Sequence, residues 1–425
     1  MLRSFRLGNH RSFFDEQELL LMPAAPGDER PVVPVTAIYG ANASGKSNLL
    51  DGLSFMRQAV ESSFARWDAE GGIPRKPFRL RGADGRLASV FVVELVIDGV
   101  NHTYGFTLDN DVVREEWLYS YPEKRRRILF ERDGDAIKFG STVDESKAKR
   151  DALRELSRPN ALFLSVAAQA RVEALLPVYH WFVHRLLFRS GGDHGPRSAV
   201  PTVVEMLATG DERIWRRLVS FLSAADVGIS DLVLEVVEDS AEGGRDYDIE
   251  GFTSFEAKLL KLITEAGGRT RLKLKLAHHG AEELFDLADE SAGTRSWIDL
   301  LPSVLQALDS GGVLVVDEID ASLHPMLTAR LVALFQEEET NSRGAQLVFT
   351  THDTSLLGTM VGEHVLEREQ IWFVEKGAEG VTKLYPLSDF KPRKEHNTER
   401  RYLAGSYGAV PVLTSTAFAD AVLGR

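Results

Sequence analysis

The chain has 425 residues, of which 44% are hydrophobic and 27% charged, and its 50 Lys and Arg against 63 Asp and Glu give a net charge of −13 at pH 7. This composition is typical of a folded globular protein, and the length suffices for two or three domains with a large core. The absence of cysteine excludes disulfides, thiolate metal sites and cysteine nucleophiles. The acidic balance argues against a large non-specific nucleic-acid surface and leaves a local basic groove as an alternative.

The sequence carries no signal for a membrane or for export. No apolar run approaches the roughly 18–20 residues that a membrane span needs. Residues 1–5 lack the apolar core of a secretory signal peptide. We therefore expect a protein of the cytoplasm that has no membrane partner.

The first third of the sequence predicts mainly strands. Residues 2–7 are expected to form an edge strand, and residues 35–39 a short buried strand that runs into a glycine-rich turn. Apolar residues at helical spacing follow that turn and predict a long helix. Asp98-Gly99 between two β-rich runs is a strong hairpin signal, so an antiparallel sheet is predicted over residues 78–139.

The remaining two thirds begin with helical patterns and end in alternating strands and helices. Residues 145–225 are helix-like, and strand patterns return at 230–238 and 271–277. An amphipathic helix over 297–308 precedes an apolar run at 313–316 of the kind buried in parallel sheets. A further helix, a strand and a hairpin are predicted at 325–336, 346–349 and 370–386.

This order of elements predicts the α/β class. We expect a mixed or parallel core sheet, an antiparallel β-subdomain and an inserted helical lobe. The predicted segments are an N-terminal lobe, a mainly helical insertion, a C-terminal lobe and a basic tail, at residues 1–144, 145–270, 271–390 and 391–425.

Residues 40–47, Gly-Ala-Asn-Ala-Ser-Gly-Lys-Ser, match the P-loop pattern. Glycines in such a loop let backbone N–H groups surround phosphates at a helix N-terminus, where the helix dipole favours anions. Lys46 is expected to reach the β- and γ-phosphates, and the Ser47 hydroxyl to bind Mg²⁺. A glycine-rich loop without a ligand is the alternative, which the strand before it and the helix after it disfavour. The other nucleotide-binding candidates of the loop are Gly40, Asn42, Ser44 and Gly45.

A pair of carboxylates ends the apolar run at 313–316. Asp317 is expected to hold Mg²⁺, and Glu318 to polarise the water that attacks a phosphate. Acidic pairs are common at strand ends, so a solvated turn is the alternative. Together with the P-loop, the pair predicts hydrolysis of a nucleoside triphosphate.

Three further segments narrow the class of P-loop protein. Ser291 and Gly293 open an amphipathic helix, and a Ser-x-Gly at a helix N-terminus is a ready phosphate site. Residues 319–324 directly follow the acidic pair, and His352 follows the next buried strand, where an imidazole would reach a γ-phosphate. A serine cap and a capping histidine are the plainer alternatives.

In this order and spacing the motifs resemble those of ABC-type ATPases, specifically the SMC, recombination-repair and OLD-like branch. Residues 9–13, Asn-His-Arg-Ser-Phe, the Asn42 of the P-loop and the tail at 398–411 further resemble stand-alone bacterial AAA/ABC ATPases of the RloA kind. The resemblance covers nearly the whole chain. It implies the fold of an ABC-type ATPase head, with ATP and Mg²⁺ as cofactors.

The resemblance also implies roles for individual residues. Lys46, Glu318 and His352 would be catalytic, Asn42 would approach the γ-phosphate, and Arg11 would lie near the nucleotide. The signature residues Ser291 and Gly293 would contact the ATP of a second protomer. The family pattern also has a Q-loop glutamine between the P-loop helix and the signature, and no glutamine near Phe78 takes that place.

The same resemblance implies partners. A homodimer or a higher even oligomer would sandwich ATP, and a separately encoded nuclease or toxic effector would act with it in anti-phage defence. An SMC-like DNA-binding repair ATPase and an ATP-stabilised scaffold with slow turnover are the alternatives. A transporter ATPase is disfavoured by the signature variant and by the sheet-rich N-terminal lobe.

Other clusters have plainer interpretations. The acidic segment 246–250 is expected to be a solvated turn, and His278-His279 a polar pair at a strand end. The basic clusters 124–127 and 391–394 are expected to be solvated faces, with contacts to a phosphate backbone as the alternative, so nucleic acid stays open as a partner.

Overall fold

Three β-sheets and the helices that connect their strands make up the described part of the chain. The computed structural model describes residues 1–24, 27–80, 87–190, 203, 212–238, 270–361, 365–391, 397–411 and 415–424. The strands are β1 Leu2–Gly8, β2 Gln17–Leu20, β3 Val35–Tyr39, β4 Ser89–Ile97, β5 Val100–Leu108, β6 Val113–Tyr121, β7 Arg127–Asp133, β8 Ala136–Phe139, β9 Leu186–Ser190, β10 Ile229–Glu238, β11 Thr270–His278, β12 Leu284–Asp286, β13 Val313–Asp317, β14 Gln346–Thr350, β15 Ile371–Lys376 and β16 Thr382–Pro386. The α-helices are α1 Lys46–Arg66, α2 Lys147–Leu156, α3 Phe163–Gln169, α4 Leu176–His180, α5 Glu212–Ala224, α6 Ala292–Ser310, α7 Pro325–Gln336, α8 Thr398–Leu403 and α9 Ser415–Leu423.

The antiparallel sheet has seven strands in the order β2-β1-β4-β5-β6-β7-β8. The hairpin predicted at Asp98-Gly99 joins β4 to β5, and both turn residues have a positive φ, as a tight two-residue turn requires. The prediction that residues 2–7 form an edge strand is wrong, because β1 pairs with β2 on one side and with β4 on the other.

One carboxylate is fully buried in this sheet. Glu116 of β6 accepts hydrogen bonds from the backbone N–H groups of Phe163 and Leu164, at 2.5 and 2.9 Å, and from the Tyr104 hydroxyl at 2.9 Å. The Arg132 guanidinium lies 4.0 Å away. Burial raises the pKa of Glu116 against the opposing effect of Arg132 and these hydrogen bonds. The bonds attach the start of α3 to the sheet.

The core sheet has the strand order β16-β15-β3-β14-β13-β9. Strands β15, β3, β14 and β13 run parallel to one another. Every residue of β3 and β14 is buried, as expected for central strands of a parallel sheet that is covered on both faces. The predicted α/β class, with a mixed core sheet and an antiparallel subdomain, is confirmed.

The chain divides into two compact units. The first comprises Met1–Phe188, Ala307–Glu318 and Ala329–Arg425, and the second Arg189–Gln306 and Ile319–Thr328. The first unit holds the antiparallel sheet, the parallel strands of the core sheet and helices α1–α4. The second holds α5, the three-stranded sheet β10-β11-β12 and the start of α6. The four-segment division of the sequence stays a prediction.

The described residues of the predicted helical insertion at 145–270 include the α-helices α2 to α5 and also the strands β9 and β10. None of the helices in the described ranges is both long and apolar enough to cross a membrane.

Candidate functional site

The P-loop sequence lies between β3 and α1 in the first unit. Gly45 has a φ of 117° and Ala43 a φ of 60°, so the backbone turns twice through the left-handed region. A Cβ on Gly45 would also lie 2.6 Å from the Thr382 hydroxyl oxygen. Glycine is required here both for the backbone conformation and for this close approach.

Lys46 spans the loop. Its Nζ donates to the carbonyl oxygens of Gly40 at 2.9 Å and Ala41 at 3.3 Å, and the residue is buried. An ammonium group held there at the N-terminus of α1 favours an anion in front of the loop. The Ser44 hydroxyl is also buried and has no hydrogen-bond partner among the described residues, whereas Asn42 and Ser47 are exposed.

Residues far away in the sequence support the loop. The Thr382 hydroxyl oxygen lies 2.8 Å from the Ser44 carbonyl oxygen and 2.8 Å from the Ser12 hydroxyl oxygen. Asn48 Nδ2 donates to the same Ser12 hydroxyl at 2.7 Å. These contacts have no local signal in the sequence, because Ser12 and Thr382 are 370 positions apart and Thr382 belongs to no motif.

The acidic pair ends β13, where the neighbouring strand β14 holds it. The Thr350 hydroxyl donates to Asp317 Oδ1 at 2.5 Å and accepts from the Glu318 backbone N–H at 2.7 Å. Glu318 has a φ of 54°, a conformation that costs energy in a residue other than glycine. Its side chain is exposed. No local sequence pattern points to this role of Thr350.

Three predicted segments meet at one edge of the core sheet. The P-loop follows β3, His352 follows β14 and Asp317 ends β13, and these parallel strands are neighbours. The Thr351 backbone N–H donates to the Ile38 carbonyl oxygen at 3.2 Å, which joins the segment of His352 to β3. The carboxyl edge of a parallel sheet is the usual place for a ligand.

The oxygen donors at this edge fit Mg²⁺. This ion is usually bound by one or two protein oxygens together with water and substrate phosphates. The Ser47 hydroxyl and the Asp317 carboxylate are donors of that kind. The described residues contain no group of three or more His, Cys, Asp or Glu that would hold a metal ion alone. The donor set therefore suits an ion that arrives with a nucleotide.

Arg11 is held by a carboxylate of the P-loop helix. Its Nε and Nη2 donate to Asp51 Oδ2 and Oδ1 at 2.5 and 2.8 Å, His10 Nε2 lies 2.9 Å from Oδ2, and Lys76 Nζ lies 3.4 Å from Oδ1. Burial acts to raise the pKa of Asp51, but the hydrogen bonds from His10 and Arg11 outweigh it and hold that pKa well below its ordinary value. Burial lowers the pKa of His10, so its neutral ring donates through Nε2–H at pH 7.

A cleft of about 490 Å³ opens beside these groups in the first unit. Its lining includes Asn48, which lies on the P-loop helix, and Ser12, whose hydroxyl accepts from the Asn48 side chain. No described lining residue is acidic. The cationic lining residues are Arg11, Lys76, Arg79 and Lys376. The cleft therefore suits an anionic ligand.

The signature residues lie in the second unit, at the start of α6. Ser291 Oγ accepts from the Thr294 backbone N–H at 3.1 Å, so the serine caps the helix. A Cβ on Gly293 would lie 2.7 Å from the Ser322 carbonyl oxygen. The signature turn thus packs directly on the segment 319–324 within this unit. Contact with a nucleotide stays a prediction for Ser291 and Gly293.

The other predicted clusters are occupied by internal contacts or lie outside the described residues. His278 Nε2 lies 2.6 Å from Glu290 Oε1. In the exposed cluster 124–127, Arg126 bonds to Glu131 at 3.2 Å and stacks 4.0 Å from the Tyr119 ring. The described ranges do not include residues 246–250 and 392–394.

The tail motif contacts the strand that carries the P-loop. Tyr402 of α8 stacks on Phe373 at 5.4 Å and meets the edge of Tyr39, the last residue of β3, at 5.7 Å. Its hydroxyl donates to the Ala409 carbonyl oxygen at 3.1 Å, and burial raises its pKa to about 12. The tail therefore packs on the core of the first unit.

Sequence comparison assigns the family. A family model described as "AAA domain, putative AbiEii toxin, Type IV TA system" matches residues 35–358, a range that includes the P-loop, the acidic pair and His352. The chain belongs to this family. The predicted AAA-type P-loop domain is thereby confirmed, whereas the ABC-type assignment and the narrower likeness to the RloA kind stay predictions.

No curated protein matches the sequence significantly. Among solved structures, an SMC head bound to the C-winged helix domain of ScpA is 14% identical, with 92% of this chain and 99% of that chain covered and a TM-score of 0.46. The SMC head domain from Thermotoga maritima is 15% identical, with 91% and 98% covered and a TM-score of 0.40.

Proposed function

We propose that this protein is an ATPase that binds ATP with Mg²⁺ at the carboxyl edge of the core sheet and hydrolyses it. One observation carries the proposal. Thr350 holds the acidic pair at the end of β13, and the P-loop follows β3 on the same sheet edge. This edge combines an anion-binding loop, oxygen donors for Mg²⁺ and the exposed carboxylate of Glu318. Thr350 bonds to the backbone N–H of Glu318 and not to this carboxylate.

The residues at this edge suit the separate tasks of hydrolysis. Lys46 and the backbone N–H groups of the loop would neutralise the β- and γ-phosphates. Ser47 and Asp317 would hold Mg²⁺, which supplies positive charge to the phosphate oxygens. Glu318 would orient and polarise the attacking water, and His352 would contact the γ-phosphate.

We further propose that two protomers assemble around ATP in the cytoplasm. Ser291 and Gly293 would contact the γ-phosphate of the ATP that the other protomer holds, and Asn42 would approach the γ-phosphate from the P-loop side. Support comes from the exposed positions of Ser291 and Asn42. The biological role proposed is that of the ATPase or sensor subunit of an anti-phage defence system, which acts with a separate nuclease or toxic effector.

An SMC-like DNA-binding repair ATPase is the second candidate. The exposed basic segment 124–127 supports it. The bonds of Arg126 to Glu131 and to the Tyr119 ring weaken it, because they already engage one of these cations. An ATP-stabilised scaffold with slow turnover is the third candidate.

Glu318→Gln tests the activity and the assembly together. We expect turnover to fall about 1,000-fold, because a general base typically contributes a factor of this order. ATP binding should persist, so that ATP shifts the variant to a dimer in size-exclusion chromatography with light scattering. Glu338→Gln, which alters an exposed carboxylate beyond α7, should leave both properties unchanged.

The outcomes separate the candidates. Full turnover in Glu318→Gln would refute the assignment of this residue, and an identical mass with and without ATP would refute the dimer. The same variant, purified with ATP from its host, should carry a nuclease or toxin-like protein if the defence role is right. DNA alone would favour the repair ATPase, and a homo-oligomer whose unmutated form turns over near background would favour the scaffold.

A further inference from the structure

The P-loop helix carries a carboxylate that the proposed hydrolysis does not use. Asp51 lies four residues after Ser47 on α1, so both side chains are on one face of the helix, one turn apart. Asp51 collects hydrogen bonds from His10 and Arg11, and Lys76 lies close to it. The turn of helix that begins at the phosphate-binding loop therefore also fixes a cluster of cations.

The bonds to Asp51 leave part of the Arg11 guanidinium available. Asp51 takes Nε–H and one N–H of Nη2, in the parallel two-bond arrangement that holds a guanidinium plane in place. Nη1 has no hydrogen-bond partner among the described residues, and Arg11 lines the cationic cleft. The Arg11 backbone is held as well, since its N–H donates to the Lys76 carbonyl oxygen at 2.7 Å.

The strand order shows which end of a nucleotide this cleft would receive. Lys376, which ends β15, lines the cleft, and β15 pairs with β3 on the side away from β14. Asp317 ends β13 and His352 follows β14, and both strands lie on the opposite side of the P-loop strand. A triphosphate seated on the loop with its γ-phosphate towards these residues has its α-phosphate and ribose on the side of the cleft.

We infer that Asp51 is a positioning residue that holds Arg11 against the α-phosphate and ribose end of the bound nucleotide. The inference rests on the proposed function, because it concerns the same ligand. It assigns Arg11 and Asp51 to affinity for the nucleoside end of the substrate and not to the hydrolytic step. The buried His10 ring lies 5.4 Å from Phe91 and donates to the Asp51 carboxylate, so it helps to hold Asp51 in place from the protein interior.

Asp51→Asn provides the test, with Arg11→Lys as its partner variant. An asparagine cannot accept both guanidinium N–H bonds, and a lysine lacks the fork that makes them. In each variant we expect the dissociation constant for ATP to rise about tenfold, a usual effect of losing a charge-assisted contact. The kcat should stay within about twofold, because the hydrolytic residues lie on the other side of β3. The double variant should lose no more affinity than either single variant.

A second ligand separates positioning from a general loss of structure. Inorganic tripolyphosphate has no nucleoside end, so its competition with labelled ATP should weaken less in the variants than ATP binding itself. Glu61→Gln is the matched control, because Glu61 is also on α1 and pairs with Arg57 at 3.9 Å outside the cleft. Thermal unfolding of each variant reports on folding, and Arg11→Lys carries the test if Asp51→Asn does not fold.

The results test the positioning role of Asp51 separately from the proposed ATPase function. Unchanged ATP affinity in Arg11→Lys, or a fall in kcat with an unchanged KM, would overturn the positioning role and leave the ATPase intact. An equal loss of affinity for ATP and tripolyphosphate would also overturn it. Failure of the unmutated protein to bind ATP would overturn the proposed function itself.

Discussion

The antiparallel sheet and the P-loop edge both bury polar groups in the first unit, but they satisfy them differently. In the sheet, Glu116 has two backbone donors, the Tyr104 hydroxyl and a nearby guanidinium. At the edge, the buried Ser44 hydroxyl lacks a partner among the described residues, and Glu318 has a left-handed φ. Polar groups in the first region stabilise the fold, and those in the second are left ready for a ligand.

Within this comparison of the two regions, the largest effect is expected from Glu116→Gln. The amide cannot accept at every position that the carboxylate oxygens fill, so a buried N–H of Phe163 or Leu164 faces another donor. We expect the free energy of unfolding in urea to fall by about 3 kcal/mol, while ATP turnover per folded molecule stays unchanged. Glu115→Gln is the control, because Glu115 is the exposed neighbour on β6. An equal free energy of unfolding in Glu116→Gln and Glu115→Gln would contradict the stabilising role of the Glu116 carboxylate.

Thr350→Val should instead mainly lower ATP turnover. Valine keeps the shape and removes the hydroxyl that joins Asp317 to the backbone of Glu318, so turnover should fall about 30-fold, the equivalent of about 2 kcal/mol. ATP affinity should change by less than about threefold. Thr36→Val removes a buried hydroxyl of β3 that has no partner in the described structure, and it should leave turnover unchanged. A similar turnover in the two variants would show that Thr350 has no role in hydrolysis.

The smallest expected effect is the pH dependence of the stability that the ion pairs of Asp51 supply. The pKa of Asp51 is lowered in the folded state, so the stability that its ion pairs supply is present above the ordinary pKa of an aspartate and is lost as the pH falls towards the lowered value. The difference in unfolding temperature between the unmutated protein and Asp51→Asn should be constant above about pH 5 and narrow below about pH 4. A difference that stays constant down to about pH 3 would contradict the lowered pKa.

Features that depend on neighbouring residues in the sequence could be predicted. The helix predicted at 325–336 has the bounds of α7, and the strand at 346–349 is one residue shorter than β14. The P-loop could be found because its glycines and lysine are contiguous. The wrong edge assignment of residues 2–7 has a simple cause: β2 has only four residues, three of them at least partly exposed, and its pattern is too short to detect.

Contacts between distant segments could not be predicted. Thr382 has no motif of its own, and its role at the P-loop follows only from the pairing of β15 with β3. The bond from Thr350 to Asp317 likewise needs the parallel pairing of β13 with β14. In the sequence alone, Asp51 cannot be told apart from the other polar residues of an amphipathic helix. Its partner Arg11 belongs to a separate loop, so their ion pair has no local signal in the sequence.

The position of β3 in the core sheet has a consequence for synthesis on the ribosome. Val35 pairs with Leu347 and Ala37 with Ile371, and Thr382 contacts Ser44 across 338 positions. The apolar strand before the P-loop thus leaves the ribosome long before its neighbours β14 and β15 are translated. During that interval its unpaired edges require protection from aggregation. The contact of Thr382 with the P-loop forms only after the chain is translated beyond Thr382, so the proposed nucleotide site is complete only from that point of synthesis onwards.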